Sequence, residues 1–322
     1  MVRILGAVLL LLVLGGCAVT QIRADRAERE AETRWPPVGQ FVEVGGLRVH
    51  YVQKGRGPDV VLLHGASGNL RDFTFKLVDL LAKDYRVTAF DRPGLGYTTR
   101  EARFAGAFNA SAETPPDQAA ILARAAAELG VRRPIVVGHS FGGAVAMAWG
   151  LDQEAAAVVS LGGAIMPWPG ALDSQYQVLG NPLGGAIVPQ FVTAWYSEDR
   201  IEQAVSGIFA PQAAPPGYIQ HIGPGLSLRR ETIRANGRQV ASLRPALVEM
   251  SKRYPGLTIP VELVHGTADT TVGYEIHTVA AAKLLPDARV TPLQGVGHMP
   301  QHARPGAVIE AINRAADRAG LR

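Results

Sequence analysis

Gly138-His139-Ser140-Phe141-Gly142 is a G-x-S-x-G run, the sequence form of a strained strand-to-helix turn that lifts a serine hydroxyl above a sheet. A serine hydroxyl becomes a useful nucleophile only when a base takes its proton, and a histidine base needs an acid to hold its tautomer. The chain order that accompanies such a turn is serine, acid, histidine. Asp269 and His298 supply that order, which makes Ser140 the candidate nucleophile, His298 its base and Asp269 the partner of the base. Charge developing on an attacked carbonyl oxygen needs main-chain N–H donors. The candidates are Phe141, directly after the serine, and Ala66, in His64-Gly65-Ala66.

Each of these residues needs an element to place it. Ile135-Val136-Val137 before the turn is a buried-strand run, and Gly142-Gly143-Ala144-Val145-Ala146 after it is a small-residue helix start that can approach neighbouring strands closely. Asp59 to Leu63 reads as a fully buried strand ending at His64, Val261 to Val264 as a strand delivering Asp269, and Arg289 to Leu293 as one delivering His298. Phe41 to Val44 and Leu47 to Gln53 flank Gly45-Gly46 as an opening hairpin. Tyr85 to Phe90, Pro134 to Val137 and Ala157 to Leu161 complete the strand set, and Thr114 caps a helix with Pro115 in its first turn. Strands alternating with helical spacing predict an α/β fold, a mostly parallel sheet with helices on both faces. Between Leu161 and Val261 the alternation fails for about a hundred residues, too long for a loop. A helical cap inserted before the acid-bearing strand is the expectation, lying at the carboxyl ends of the strands.

The N-terminus carries a different message. Arg3 precedes an apolar stretch from Ile4 to Leu14, an export-signal pattern that falls short of the ~20 residues of a spanning helix. The only cysteine, Cys17, follows Leu14-Gly15-Gly16. This arrangement resembles the lipobox of bacterial lipoprotein signals, which implies cleavage before Cys17 and lipidation of that residue. The division expected is a signal peptide over 1–16, a lipidated N-terminus and spacer over 17–40, a first core part over 41–162, the cap over 163–257 and a second core part over 258–322. Gln21 to Arg34, rich in both charges and followed by Trp35-Pro36-Pro37, reads as a solvated spacer. The protein is then an exported bacterial lipoprotein, held to a membrane on its extracytoplasmic side by its lipid.

Composition supports a globular chain, with 47% hydrophobic and 19% charged residues. The net charge of +4 is scattered, so no basic cluster favours nucleic acid. From about Phe41 to Leu321 the chain resembles the α/β-hydrolase superfamily of the capped type. The resemblance rests on His64-Gly65, Asp91-Arg92-Pro93-Gly94-Leu95-Gly96, Gly138 to Gly143, His265-Gly266-Thr267-Ala268-Asp269 and Gly297-His298. It implies a structural role for Asp91 and Arg92. It disfavours epoxide-hydrolase and dehalogenase chemistry, whose nucleophile is an aspartate.

A serine hydrolase cleaving a carboxylic ester or related acyl bond is the reading these features favour, with neither metal nor organic cofactor called for. Cofactor-free haloperoxidase and carbon–carbon bond hydrolase chemistry use the same residues, and a ligand-binding protein on this fold is the non-enzymatic alternative. Trp168, Tyr176, Phe191, Trp195, Tyr196, Phe209 and Tyr218 either line a pocket for an apolar acyl substrate or form the cap's own core. His64 is expected to bond its own loop, His139 to pack beside the strand, and His302 to take a surface or capping role.

Overall fold

In the run Asp59–Leu63 every side chain after the first is buried, and Ile135–His139, Ala157–Leu161 and Val261–Gly266 are buried throughout. Strands of this kind belong inside a parallel sheet covered on both faces. The computed structural model describes residues 2–322. Its eight strands are β1 (Gln40–Val44), β2 (Leu47–Lys54), β3 (Asp59–Leu63), β4 (Arg86–Phe90), β5 (Ile135–His139), β6 (Ala157–Leu161), β7 (Val261–Gly266) and β8 (Ala288–Leu293). They lie in the order β1-β2-β4-β3-β5-β6-β7-β8. β1 and β2 pair antiparallel with each other, β2 pairs antiparallel with β4, and all other neighbours are parallel. All eight expected strands are present, Asp59–Leu63 and Ala157–Leu161 with the bounds expected and the others with ends shifted by one or two residues.

The helices are α1 (Val2–Arg34), α2 (Arg71–Thr74), α3 (Leu77–Leu81), α4 (Pro115–Glu128) and α5 (Phe141–Asp152), then α6 to α11 between β6 and β7. This helical segment comprises α6 (Ser174–Gly180), α7 (Pro182–Trp195), α8 (Glu198–Phe209), α9 (Tyr218–Ile222), α10 (Pro224–Ser227) and α11 (Arg230–Ser251). α12 (Ala280–Ala282), α13 (Pro300–Ala303) and α14 (Pro305–Arg318) complete the chain. Thr114 and Asp117 close a reciprocal capping box at the start of α4. Leu122 of α4 and Met147 and Trp149 of α5 pack with Val136 and Leu263 in one core cluster. Phe73, Leu77 and Ile312 pack with Leu62 and Val137 in the other.

The N-terminal segment departs from expectation. α1 runs unbroken to Arg34, and Gln21 to Arg34 is not a solvated spacer. Thr20, Ala24 and Ala31 are buried, and α1 packs on α7 and α10. The reason is charge and size together. Small side chains on one face let α1 approach closely, while Asp25 and Glu28 meet Arg230 at 2.6 and 2.5 Å. Glu28 also accepts the backbone N–H of Arg230 at 2.8 Å, satisfying an orphan donor at the start of α11 and matching the helix dipole. Arg23 sits over the Trp195 ring at 4.0 Å. Residues 3–19 by contrast are exposed.

Replacing Arg230 by Ala leaves both partly buried carboxylates without their partner, so Tm is expected to fall by about 2–4 °C. Glu28→Ala is expected to act alike, and the double variant to do no more than either single one. Full additivity in thermal melts would show that the two side chains act independently.

Candidate active site

β5 and α5 meet at Ser140, whose backbone has φ 54° and ψ −119°, a region an L-residue occupies only under constraint. The constraint is visible in the flanking glycines. A Cβ on Gly138 would lie 2.0 Å from the Gly142 carbonyl oxygen, and one on Gly142 would lie 2.1 Å from that of Leu63. Only hydrogen fits at both places, which lets strand, turn and helix close tightly enough to present the serine. Ser140 N–H donates to Leu161 O, and its carbonyl accepts from Gly143 and Ala164.

Because β3, β5, β6, β7 and β8 are parallel, the loops that follow them emerge at one edge of the sheet. Asp269, after β7, and His298, after β8, meet there, with His298 Nδ1 2.7 Å from Asp269 Oδ2. A carboxylate accepts only, so Nδ1 carries the proton and Nε2 keeps its lone pair. Asp269 Oδ1 accepts the N–H groups of Thr271 and Val272 at 2.8 and 2.9 Å. Oδ2 also receives His265 Nε2 at 3.1 Å. Burial raises the Asp269 carboxyl, but the hydrogen bonds from His265 and His298, with that from the Val272 N–H, outweigh it and hold it well below the usual range.

Sequence reasoning did not single out His265 beyond its place in a motif. Its Nδ1 accepts from Thr278 Oγ1 at 2.6 Å, which fixes the ring with its Nε2 proton toward Asp269 and the Val272 carbonyl. A histidine four residues before a candidate acid at a strand end was the available signal.

Ser140, His298 and Ala66 share a cavity of about 300 Å³. No hydrogen bond joins Ser140 Oγ to His298 among the described residues, a spacing common before substrate binds. The N–H groups of Ala66 and Phe141 have no acceptor among the described residues, Phe141 being the first residue of α5. Tyr176, Phe209 and Tyr218 of the aromatic set line the cavity, Phe209 and Tyr218 also forming a small core with Val205 and Met299. Phe191 and Trp195 point outward.

The surrounding histidines have defined tasks. His64 Nδ1 bonds Gly65 O at 2.9 Å and its Nε2 accepts the Arg92 N–H at 3.0 Å. Burial brings its pKa down to about 4, so it is a neutral brace. His139 Nε2 donates to the His298 carbonyl at 2.9 Å, and burial likewise lowers it to about 4. The buried Arg92 guanidinium donates to the carbonyls of His64 and Gly65, and to Gln118 and Gln239. Asp91 accepts from Leu70 N–H, Tyr97 N–H and His50.

Of the surface or capping role expected for His302, the surface part is overturned. The His302 side chain is 1% exposed and its Nε2 lies 2.7 Å from Asp72 Oδ1, because α13 turns inward after His298. Asp72 also accepts from Tyr218 OH at 2.7 Å and Gln301 Nε2 at 3.0 Å. One carboxylate on α2 thereby ties together α9 and α13, the helix that follows the His298-bearing loop.

Burial raises the Asp72 carboxyl, but His302, with its charge and hydrogen bond, leads the interactions that drive it below its ordinary value. With a folded pKa below the unfolded one, this group's stabilisation is complete above about pH 4 and is lost as pH falls through the folded value. Asp72→Asn is therefore expected to cost roughly 2–4 kcal/mol at neutral pH. It is also expected to lose less stability than the wild type between about pH 4 and pH 2. Parallel acid profiles in denaturant titrations would contradict this.

A model of the family described as "Alpha/beta hydrolase family" matches residues 60–311. The chain is 39% identical over 129 residues to the dihydrolipoyllysine-residue acetyltransferase component of an acetoin cleaving system from Cupriavidus necator. That match covers 40% of this chain and 31% of the relative, so the chain spans about a third of the relative's length. Among solved structures, a bacterial membrane phospholipase A is similar over 100% of both chains, with TM-score 0.66 and 20% identity. 2-Hydroxy-6-oxo-6-phenylhexa-2,4-dienoate hydrolase from Rhodococcus sp. strain RHA1 is similar over 87% of this chain and 98% of its own, with TM-score 0.69 and 19% identity. With the sheet order, the elbow at Ser140 and the family match over most of its length, the chain belongs to the α/β-hydrolase family and has the fold of a hydrolase.

Proposed function

We propose that the protein is a serine hydrolase cleaving a carboxylic ester through Ser140, His298 and Asp269. The observation that carries this is the 2.7 Å contact from His298 Nδ1 to Asp269, which leaves Nε2 free as a base in the cavity shared with Ser140. Nε2 takes the hydroxyl proton as Oγ attacks the carbonyl carbon, and the oxyanion accepts hydrogen bonds from Ala66 and Phe141 N–H. The alcohol leaves with that proton. His298 then deprotonates a water that attacks the acyl-enzyme, releasing the acid and restoring Ser140. The mostly apolar cavity walls support an apolar acyl group.

Residues 163–257 act as a cap over this cavity, between core parts 41–162 and 258–322. The N-terminus is an export signal with lipidation at Cys17, which holds the enzyme on the extracytoplasmic face of a membrane. In support, Cys17 is exposed, and the buried residues of α1 begin at Thr20. Cleavage before Cys17 leaves every buried residue of α1 in place.

Hydrolysis of p-nitrophenyl esters of increasing chain length tests the reading. Ser140→Ala and His298→Ala are each expected to lower kcat by roughly 10⁴–10⁶-fold, and Asp269→Asn by about 10⁴-fold. Unchanged turnover in Ser140→Ala would overturn it.

A further inference from the structure

A second cavity of about 440 Å³ lies beside the catalytic one. The two have Ser67, Tyr176, Ser227 and Leu228 in common, so they adjoin along one shared wall. Leu179, Val188, Val192 and Ile233 border only the second, and they give it an apolar interior within the helical segment. The junction is built rather than incidental. Ser67 has φ 53°, uncommon for a residue with a Cβ, and Asn236 of α11 holds it there from two directions. Ser67 N–H donates to Asn236 Oδ1 at 2.7 Å, and Asn236 Nδ2 donates to Ser67 Oγ at 2.9 Å. Ser67 directly follows Ala66, the candidate oxyanion donor.

Resting on the ester-hydrolase reading above, we infer that the second cavity takes one apolar arm of the substrate while the catalytic cavity takes the other. The preferred substrates are then esters extended and apolar on both the acyl and the alcohol side. The catalytic cavity alone is at the small end of ligand sites, about 300–1,000 Å³, and the pair together is well within that range. Ser67 and Ser227 border both cavities and Asn236 only the second, while the ester group itself stays at Ser140 in the catalytic cavity, so that one arm passes this shared wall. Apolar side chains extend away from it on both sides.

The test compares methyl hexanoate, hexyl acetate and hexyl hexanoate by pH-stat, using wild type, Ser140→Ala, and two cavity-filling variants, Val192→Trp and Val188→Phe. Two variants are used so that one reads out if the other fails to fold, with circular dichroism as the check. The wild type is expected to have kcat/KM for hexyl hexanoate about tenfold or more above either one-armed ester. Each filling variant is expected to reduce that preference about tenfold. Ser140-dependent hydrolysis without a two-armed preference, or a preference unmoved by both fillings, would overturn the inference and leave the esterase reading standing. Absence of Ser140-dependent turnover for all three esters would overturn both.

Discussion

The backbone at Ser140 is held in a conformation that costs about 1–3 kcal/mol wherever it occurs, and much of the surrounding structure serves to hold it there. Hydrogen in place of a side chain at Gly138 and Gly142 lets the turn close against Leu63 and its own helix start. Central placement of β5 between β3 and β6 then puts the serine beside the loop carrying Ala66, with the loops after β7 and β8 arriving from the same edge. The elbow also leaves Phe141 as the first residue of α5, its N–H unclaimed by the helix. The proposed nucleophile and the proposed oxyanion donor thus follow from one backbone turn.

Buried polar groups connect this core to the helices over it. Arg92 braces the His64-Gly65 carbonyls while reaching Gln239 on α11. Asn236 fixes Ser67, and Asp72 joins α2, α9 and α13. The Arg92 and Asn236 ties are satisfied at several atoms, the condition under which buried polar groups stabilise rather than weaken a fold, whereas beside Asp72 the Gln301 Oε1 and His302 Nδ1 atoms are buried without a partner among the described residues. Asp269 follows the same rule, since four hydrogen bonds converge on its two oxygens. Such a carboxylate has little freedom to reorient, and the His298 ring inherits that rigidity.

The sheet, the elbow and the order of Ser140, Asp269 and His298 were legible because their signals are local. A buried strand is an uninterrupted apolar run, and an elbow is a glycine-flanked serine after such a run. The ties between layers were not legible for the opposite reason. Asp72 and Tyr218 are 146 residues apart, Arg230 and Asp25 are 205 apart, and none of these residues is unusual in its own neighbourhood. Gln21 to Arg34 looked solvated because its charges were read without their partners on α11. His302 looked peripheral because nothing near it announces that α13 turns inward toward Asp72.

The most direct measurement of the central claim, that Asp269 and His298 activate Ser140, is intact-mass and peptide mapping after exposure to a fluorophosphonate. The account predicts one stoichiometric adduct on Ser140, formed at least tenfold more slowly in Asp269→Asn. An adduct on another residue, or none under conditions where the protein is folded, would contradict it.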